Sequence, residues 1–220
     1  MKKSSSESSS FLLKDFPGFS ARDLKGLRDY YTAQWTEHSA PEKRVGWRTA
    51  ASQRVRLETL ASVGDLRGKK ILDVGCGLGA LWVYLREQGI RADYTGVDLF
   101  APVIAEAAAA HSDAVFETRN ILARPFARGR FDFVFLSGVF NVKIRDNWEY
   151  MRALLSAALR QAREAVAFNA LNAEAQLKEP DRFSVQAKDL VALGRRLGAP
   201  KVHLLDHYHH LDLTLFLYKK

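Results

Sequence analysis

A single cysteine, Cys76, stands in 220 residues. One thiol cannot close an internal disulfide, so packing alone has to hold the fold, and a reducing compartment, the cytoplasm, is expected. No apolar run approaches the roughly 18 residues that a membrane span needs, so no membrane partner is expected. A signal-peptide core is missing too: after the basic tip only Phe11-Leu12-Leu13 precedes Lys14. No internal repeat is evident. Dense basic blocks are also absent, although 33 Lys and Arg against 25 Asp and Glu leave a net charge of +8. Basic residues scattered along the whole chain read as solubility. A polyanion such as RNA is the alternative partner that the charge leaves open.

What is present divides the chain into three. Residues 1–19 carry a serine-rich stretch and are expected to form a disordered tail. Residues 20–66 read as a helical cap: 22–34 have amphipathic spacing, Ser39-Ala40-Pro41 interrupts, and 47–63 resume before Gly64. Residues 67–220 alternate strands and helices. Strands are expected at 71–74, 94–98, 114–118, 131–136 and 165–171, with helices at 78–88, 101–111, 148–162 and 185–197. Alternation of this kind predicts right-handed crossovers and a doubly wound, mostly parallel sheet. The last two strands, 202–206 and 211–218, lie too close for a helical crossover and should pair as an antiparallel hairpin. The fold class is therefore α/β, with seven strands.

The chemistry concentrates where the first strand ends, in Ile71-Leu72-Asp73-Val74-Gly75-Cys76-Gly77-Leu78-Gly79. Ligands of open parallel sheets bind at the carboxyl ends of the strands. Glycines at 75 and 77 let backbone approach a ligand without a Cβ in the way. A P-loop requires Gly-Lys-Ser/Thr, which is missing. A dinucleotide fingerprint threads through Gly75, Gly77 and Ala80. Against it stand Asp73, placed to meet a positive ligand group, the extra Gly79, and the antiparallel ending. Cys76 reads as a small loop residue rather than a nucleophile, since no partner pair is visible.

These residues resemble the first motif of the class I S-adenosylmethionine-dependent methyltransferases, whose sheet is Rossmann-like. The resemblance covers roughly residues 67–220 and implies S-adenosylmethionine as cofactor. It implies that the loop Gly75, Cys76 and Gly77 holds the amino-acid end, with Asp73 acting on the ammonium. It assigns the ribose hydroxyls to Asp98, beside Leu99, and the adenine to Asn120, beside Ile121. Arg130 to Gly138 resembles the fourth motif, which places Ser137 under the methyl. A cap on the helix that begins at Ala101 is the other reading of Asp98.

Val45-Gly46-Trp47 with Gln53 and Arg56, Ser137-Gly138-Val139-Phe140-Asn141, and Ala167-Phe168-Asn169-Ala170-Leu171 resemble segments of a small bacterial branch of that family with no settled substrate. Leu57 stands where that branch usually has Phe, and Leu211-Asp212-Leu213-Thr214 is a loose match to its closing hairpin. On this reading Trp47 caps the cofactor pocket, or else anchors its helix to the core. Gln53 and Arg56 supply polar contacts, and Asn141 positions substrate. Tyr30 and Tyr31 read as core or as the substrate mouth. No Asn-Pro-Pro-aromatic motif and no second cysteine for cytosine C5 chemistry appear.

His203, His207, His209 and His210 share no spacing with a carboxylate or thiol that completes a metal site, and no metal is expected. The expected activity is methyl transfer to a small molecule. RNA methylation, an NAD-dependent oxidoreductase and a non-catalytic cofactor-binding module are the alternatives. Acceptor, methylated atom, general base and oligomeric state are not legible.

Overall fold

Apolar strands that alternate with amphipathic helices need both sheet faces covered, and the chain solves this with one central sheet. A computed structural model describes residues 19–175 and 179–220. The tail expected over 1–19 lies outside them except for Phe19.

The elements in order are α1 (Ala21–Glu37), α2 (Pro41–Arg44), α3 (Ala50–Ala61), β1 (Lys70–Val74), α4 (Ala80–Glu87), β2 (Asp93–Asp98), α5 (Ala101–Ala110), β3 (Val115–Thr118), β4 (Phe131–Leu136), α6 (Asn147–Gln161), β5 (Ala162–Asn172), β6 (Ser184–Val185), α7 (Ala187–Arg196), β7 (Lys201–Leu205) and β8 (Asp212–Tyr218). The sheet runs β3-β2-β1-β4-β5-β8-β7, and β6 pairs with β5 off this path. Only β8 is antiparallel to its neighbours, β5 and β7. The seven expected strands are present. The eighth, β6, was not expected: its Val185 falls at the start of the helix expected over 185–197, and two residues are too few to show a period.

Parallel strands buried on both faces read as unbroken apolar runs, as in Phe133–Leu136 of β4. Leu72, Val74, Val134, Leu136 and Phe168 pack on one face among Met151, Leu154 and Leu190 of α6 and α7. Ile71, Phe133, Phe135, Ala165 and Phe216 pack on the other among Leu57, Leu60, Leu81 and Leu85 of α3 and α4. The expected cap over 20–66 is thus not uniform. α3 is a layer of the sheet core, while α1 buries no residue fully. α1 is held at its start by a reciprocal cap between Ser20 and Asp23.

Two boundaries moved for local reasons. α3 starts at Ala50 rather than 47, because the Thr49 side chain caps the amide of Ser52. β7 stops at Leu205 rather than 206, and His207 lies in the turn after it, exposed and beside Asp206.

Candidate active site

β1 ends at Val74 and the chain turns through three left-handed glycines, Gly75, Gly77 and Gly79, at φ +73°, +55° and +81°. Residues with a Cβ adopt this region at a cost of roughly 1–2 kcal/mol. The surroundings add a second demand. A Cβ at 75 would lie 2.8 Å from Val139 Cγ2, and one at 79 would lie 2.9 Å from Phe116 Cζ. The amides of Gly75 and Cys76 both donate to the Val97 carbonyl, at 2.8 and 3.1 Å, which ties the loop to β2.

Asp98 closes β2 and reaches back to the same loop. Its Oδ2 accepts from Gly77 N and its Oδ1 from Phe100 N, both at 3.0 Å. It does not cap α5, whose N-cap is Phe100 without a side-chain bond. Burial raises its pKa, and the amides of Phe100, Gly77 and Leu99 oppose that shift. Asp73 is buried beneath the loop and accepts a 2.7 Å bond from the Tyr94 hydroxyl. Desolvation pushes it up to about 7, with the charge of Asp98 adding to the rise and the Tyr94 bond opposing it. Two carboxylates in a water-poor pocket favour a cationic ligand there. Burial and the same two carboxylates push the Cys76 thiol well up, so it stays protonated and is no nucleophile at neutral pH.

The loop opens on a cavity of about 530 Å³, a size usual for small-molecule sites. Asp73, Gly75, Cys76, Gly77, Asp98, Leu99, Asn120, Ile121, Ser137, Trp47, Gln53 and Asn141 all line it. Asn120 Oδ1 accepts from Leu122 N at 2.9 Å, and its Nδ2 is buried without a protein partner. Asn141 Oδ1 is likewise buried and unpartnered. Buried polar atoms without partners are uncommon, and at a cavity wall they are where a ligand would bond. Trp47 precedes α3 and so anchors no helix of its own. It lines the cavity, and its ring lies against Gly138, where a Cβ would come within 3.0 Å of it.

Arg56 departs from expectation. It does not line the cavity but is buried in an ion pair with Asp212 of β8, donates to Ser52, and sits 5.0 Å from the Trp47 ring. Nearby, Asn169 of β5 accepts from Gly138 N at 2.8 Å and donates to Ser137 Oγ at 3.4 Å. The segment after β4 is therefore pinned from behind by a buried polar network. Tyr30 and Tyr31, expected in the core or at the substrate mouth, line the cavity, and so do Phe19, Ile144, Tyr150 and Arg182, which the sequence reading left unassigned. No local spacing marks these four, because they come from the segment before α1, the β4–α6 connection, α6 and the β5–β6 connection. Among the described residues no three His, Cys, Asp or Glu gather closely enough to hold a metal ion.

An open sheet in this strand order, a glycine turn at its first carboxyl end, and an acid at its second define a nucleoside-binding site that accommodates a cation without phosphate. The residues fit S-adenosylmethionine: the glycine turn exposes backbone, Asp98 has lone pairs to spare, and Asn120 Nδ2 is an unused donor. The profile of the family described as "Methyltransferase domain" matches residues 71–162. A protein of Mycobacterium tuberculosis, Rv1506c, named provisionally as a methyltransferase, is 30% identical over 155 residues, which are 68% of this chain and 92% of that one. Ribosomal RNA small subunit methyltransferase C of Cronobacter sakazakii is 29% identical over 93 residues, 41% of this chain and 27% of its own. Among solved structures, magnesium protoporphyrin IX methyltransferase from Synechocystis PCC 6803 with bound SAH superposes with a TM-score of 0.64 at 17% identity, covering 90% of this chain and all of that one. The chain belongs to the class I S-adenosylmethionine-dependent methyltransferases. S-adenosylmethionine is its cofactor, and that membership displaces the oxidoreductase alternative.

Proposed function

We propose that the enzyme methylates a small molecule. The observation that carries this is the state of the charges around the cavity. Lys25 and Arg28 lie against Asp29, Arg44 against Glu106, and Arg119 against Glu117. Arg48, just beyond, is bonded to Glu179. A surface built for RNA relies on cations left free for phosphates. Here each of those cations has a carboxylate within 4.0 Å, with Lys25 and Arg28 sharing Asp29, and of the cations lining the cavity Arg182 alone has none among the described residues.

The glycine loop takes the amino-acid end of the cofactor, with Asp73 facing the ammonium. Asp98 accepts from the ribose hydroxyls. Asn120 Nδ2 donates to an acceptor nitrogen of the adenine, because its Oδ1 is already engaged. Trp47 and Gln53 cover the amino-acid end, and Ser137 lies toward the methyl. The sulfonium supplies an already activated methyl group, so the chain's share is alignment and exclusion of water. Asn141 Oδ1 holds a hydroxyl or amine of the acceptor.

The test is transfer from labelled methyl donor to a fractionated small-molecule extract and, in parallel, to total RNA, each across a salt series. Label in an organic-soluble product with a flat salt response supports the reading. Label in RNA, falling steeply as salt rises, overturns it.

A further inference from the structure

We propose that Arg182 and Tyr30 form an oxyanion subsite at the acceptor end of the cavity, so that the acceptor is a small apolar or aromatic molecule bearing a carboxylate or phosphate-type group. The inference rests on the cavity being the methyltransferase site proposed above.

Five cations line the cavity: Lys25, Arg28, Arg44, Arg119 and Arg182. The first four each have a carboxylate within 4.0 Å. Arg182, half-buried, has none among the described residues. Its Nη2 donates to the Tyr30 hydroxyl at 3.0 Å. Its sequence neighbour Asp181 is exposed and acts on it only at longer range.

The geometry around it suits an anion. A guanidinium presents five N–H donors in a planar fork, and Tyr30 occupies one edge of it. Because the Tyr30 oxygen accepts from Arg182, its own proton is free to point at whatever Arg182 binds. Two donors, one charged, thus face the same place.

The subsite is fixed in position. Arg182 bridges antiparallel to Val142, and Phe183 N donates to the Asn141 carbonyl at 3.0 Å. It therefore stands beside Asn141, on the segment after β4. The same cavity is lined by apolar and aromatic side chains, among them Phe19, Leu24, Ile144 and Tyr150. A charge taken partly out of water without an opposite charge is unfavourable, and a ligand anion would relieve it.

The measurement uses protein loaded with S-adenosylhomocysteine, titrated with benzoate, phenyl phosphate and the neutral benzamide. Either oxyanion should bind at least about tenfold more tightly than benzamide, and the better of the two identifies the source of charge. Arg182→Gln should remove that preference, and Arg182→Lys should keep part of it. Both variants should hold S-adenosylhomocysteine within about twofold of the parent and keep its melting temperature. Equal binding of benzoate and benzamide, no oxyanion binding, or a preference that survives Arg182→Gln would overturn the subsite. Loss of S-adenosylhomocysteine affinity in Arg182→Gln alone would also overturn it, by giving the charge to the cofactor's carboxylate. Failure of the unaltered protein to bind S-adenosylhomocysteine would instead sink the site assignment beneath it.

Discussion

The two ends of the cavity are built on different principles. At the glycine-loop end, the side chains and turns come from consecutive strand ends, and backbone conformation sets the geometry. Gly75 and Gly77 take left-handed φ, and Asp98 bonds the amides of Gly77 and Phe100. At the Arg182 end, Tyr30, Asn141 and Arg182 arrive from distant segments, and buried polar pairs hold the walls that face the ligand. Arg56 with Asp212 and Asn169 with the Gly138 amide stand behind that wall. A site of the first kind is written in a short motif. A site of the second kind exists only when the chain is folded around it, so its support should be more sensitive to loss of stability.

That contrast can be broken or sharpened in order of expected effect. Asp212→Ala should be the most damaging change to the fold. It leaves Arg56 buried without its carboxylate, a loss of about 3–5 kcal/mol in urea unfolding. A loss under about 1 kcal/mol would mean the pair supports little. Asp98→Ala should act instead on the ligand. It removes charge-assisted acceptors for the ribose, and S-adenosylhomocysteine affinity should fall by about a hundredfold or more, read by calorimetry, with a smaller change in unfolding. Unchanged affinity would end the ribose assignment.

Asp73 provides a middle-sized effect with a defined sign. Its carboxyl is raised to about 7 in the protein, and a cationic ligand favours the ionised form. Cofactor affinity should therefore be level above pH 7 and fall toward tenfold per pH unit below it, and Asp73→Asn should flatten the profile. The same shift means the unliganded fold binds the proton more tightly than the unfolded chain. Its stability should decline as pH rises from about 4 to about 7, and Asp73→Asn should lessen that decline. The smallest effect is expected from Asn120→Ala. One neutral hydrogen bond of about 0.5–1.5 kcal/mol is at stake, so binding should weaken by about two- to tenfold.

Val45-Gly46-Trp47, Gln53, Arg56, Ser137 to Asn141, Asn169 and Asp212 are spread over most of the chain, yet they meet in one place. Trp47 lies between the Arg56 guanidinium and Gly138, and Gly138 is held by Asn169. The pattern of residue types was legible, but the roles were not. Arg56 read as a pocket contact and is a buried partner of Asp212 instead. Leu211-Asp212-Leu213-Thr214 read as a loose motif, and two of its residues are buried polar groups: Asp212 paired with Arg56, and Thr214 bonded to the Tyr208 hydroxyl.

The amino-acid sequence by itself determined the parallel sheet, its antiparallel ending and the glycine turn with its two acids. Each depends on neighbours close along the chain, where period, spacing and turn chemistry act directly. Only the tertiary structure decided which polar residues face the cavity and which stand behind it, why Val139 and Phe116 also require glycines at 75 and 79, and that Arg182 has no carboxylate beside it among the described residues. Those depend on contacts between segments far apart along the chain, and on which charges water can no longer reach.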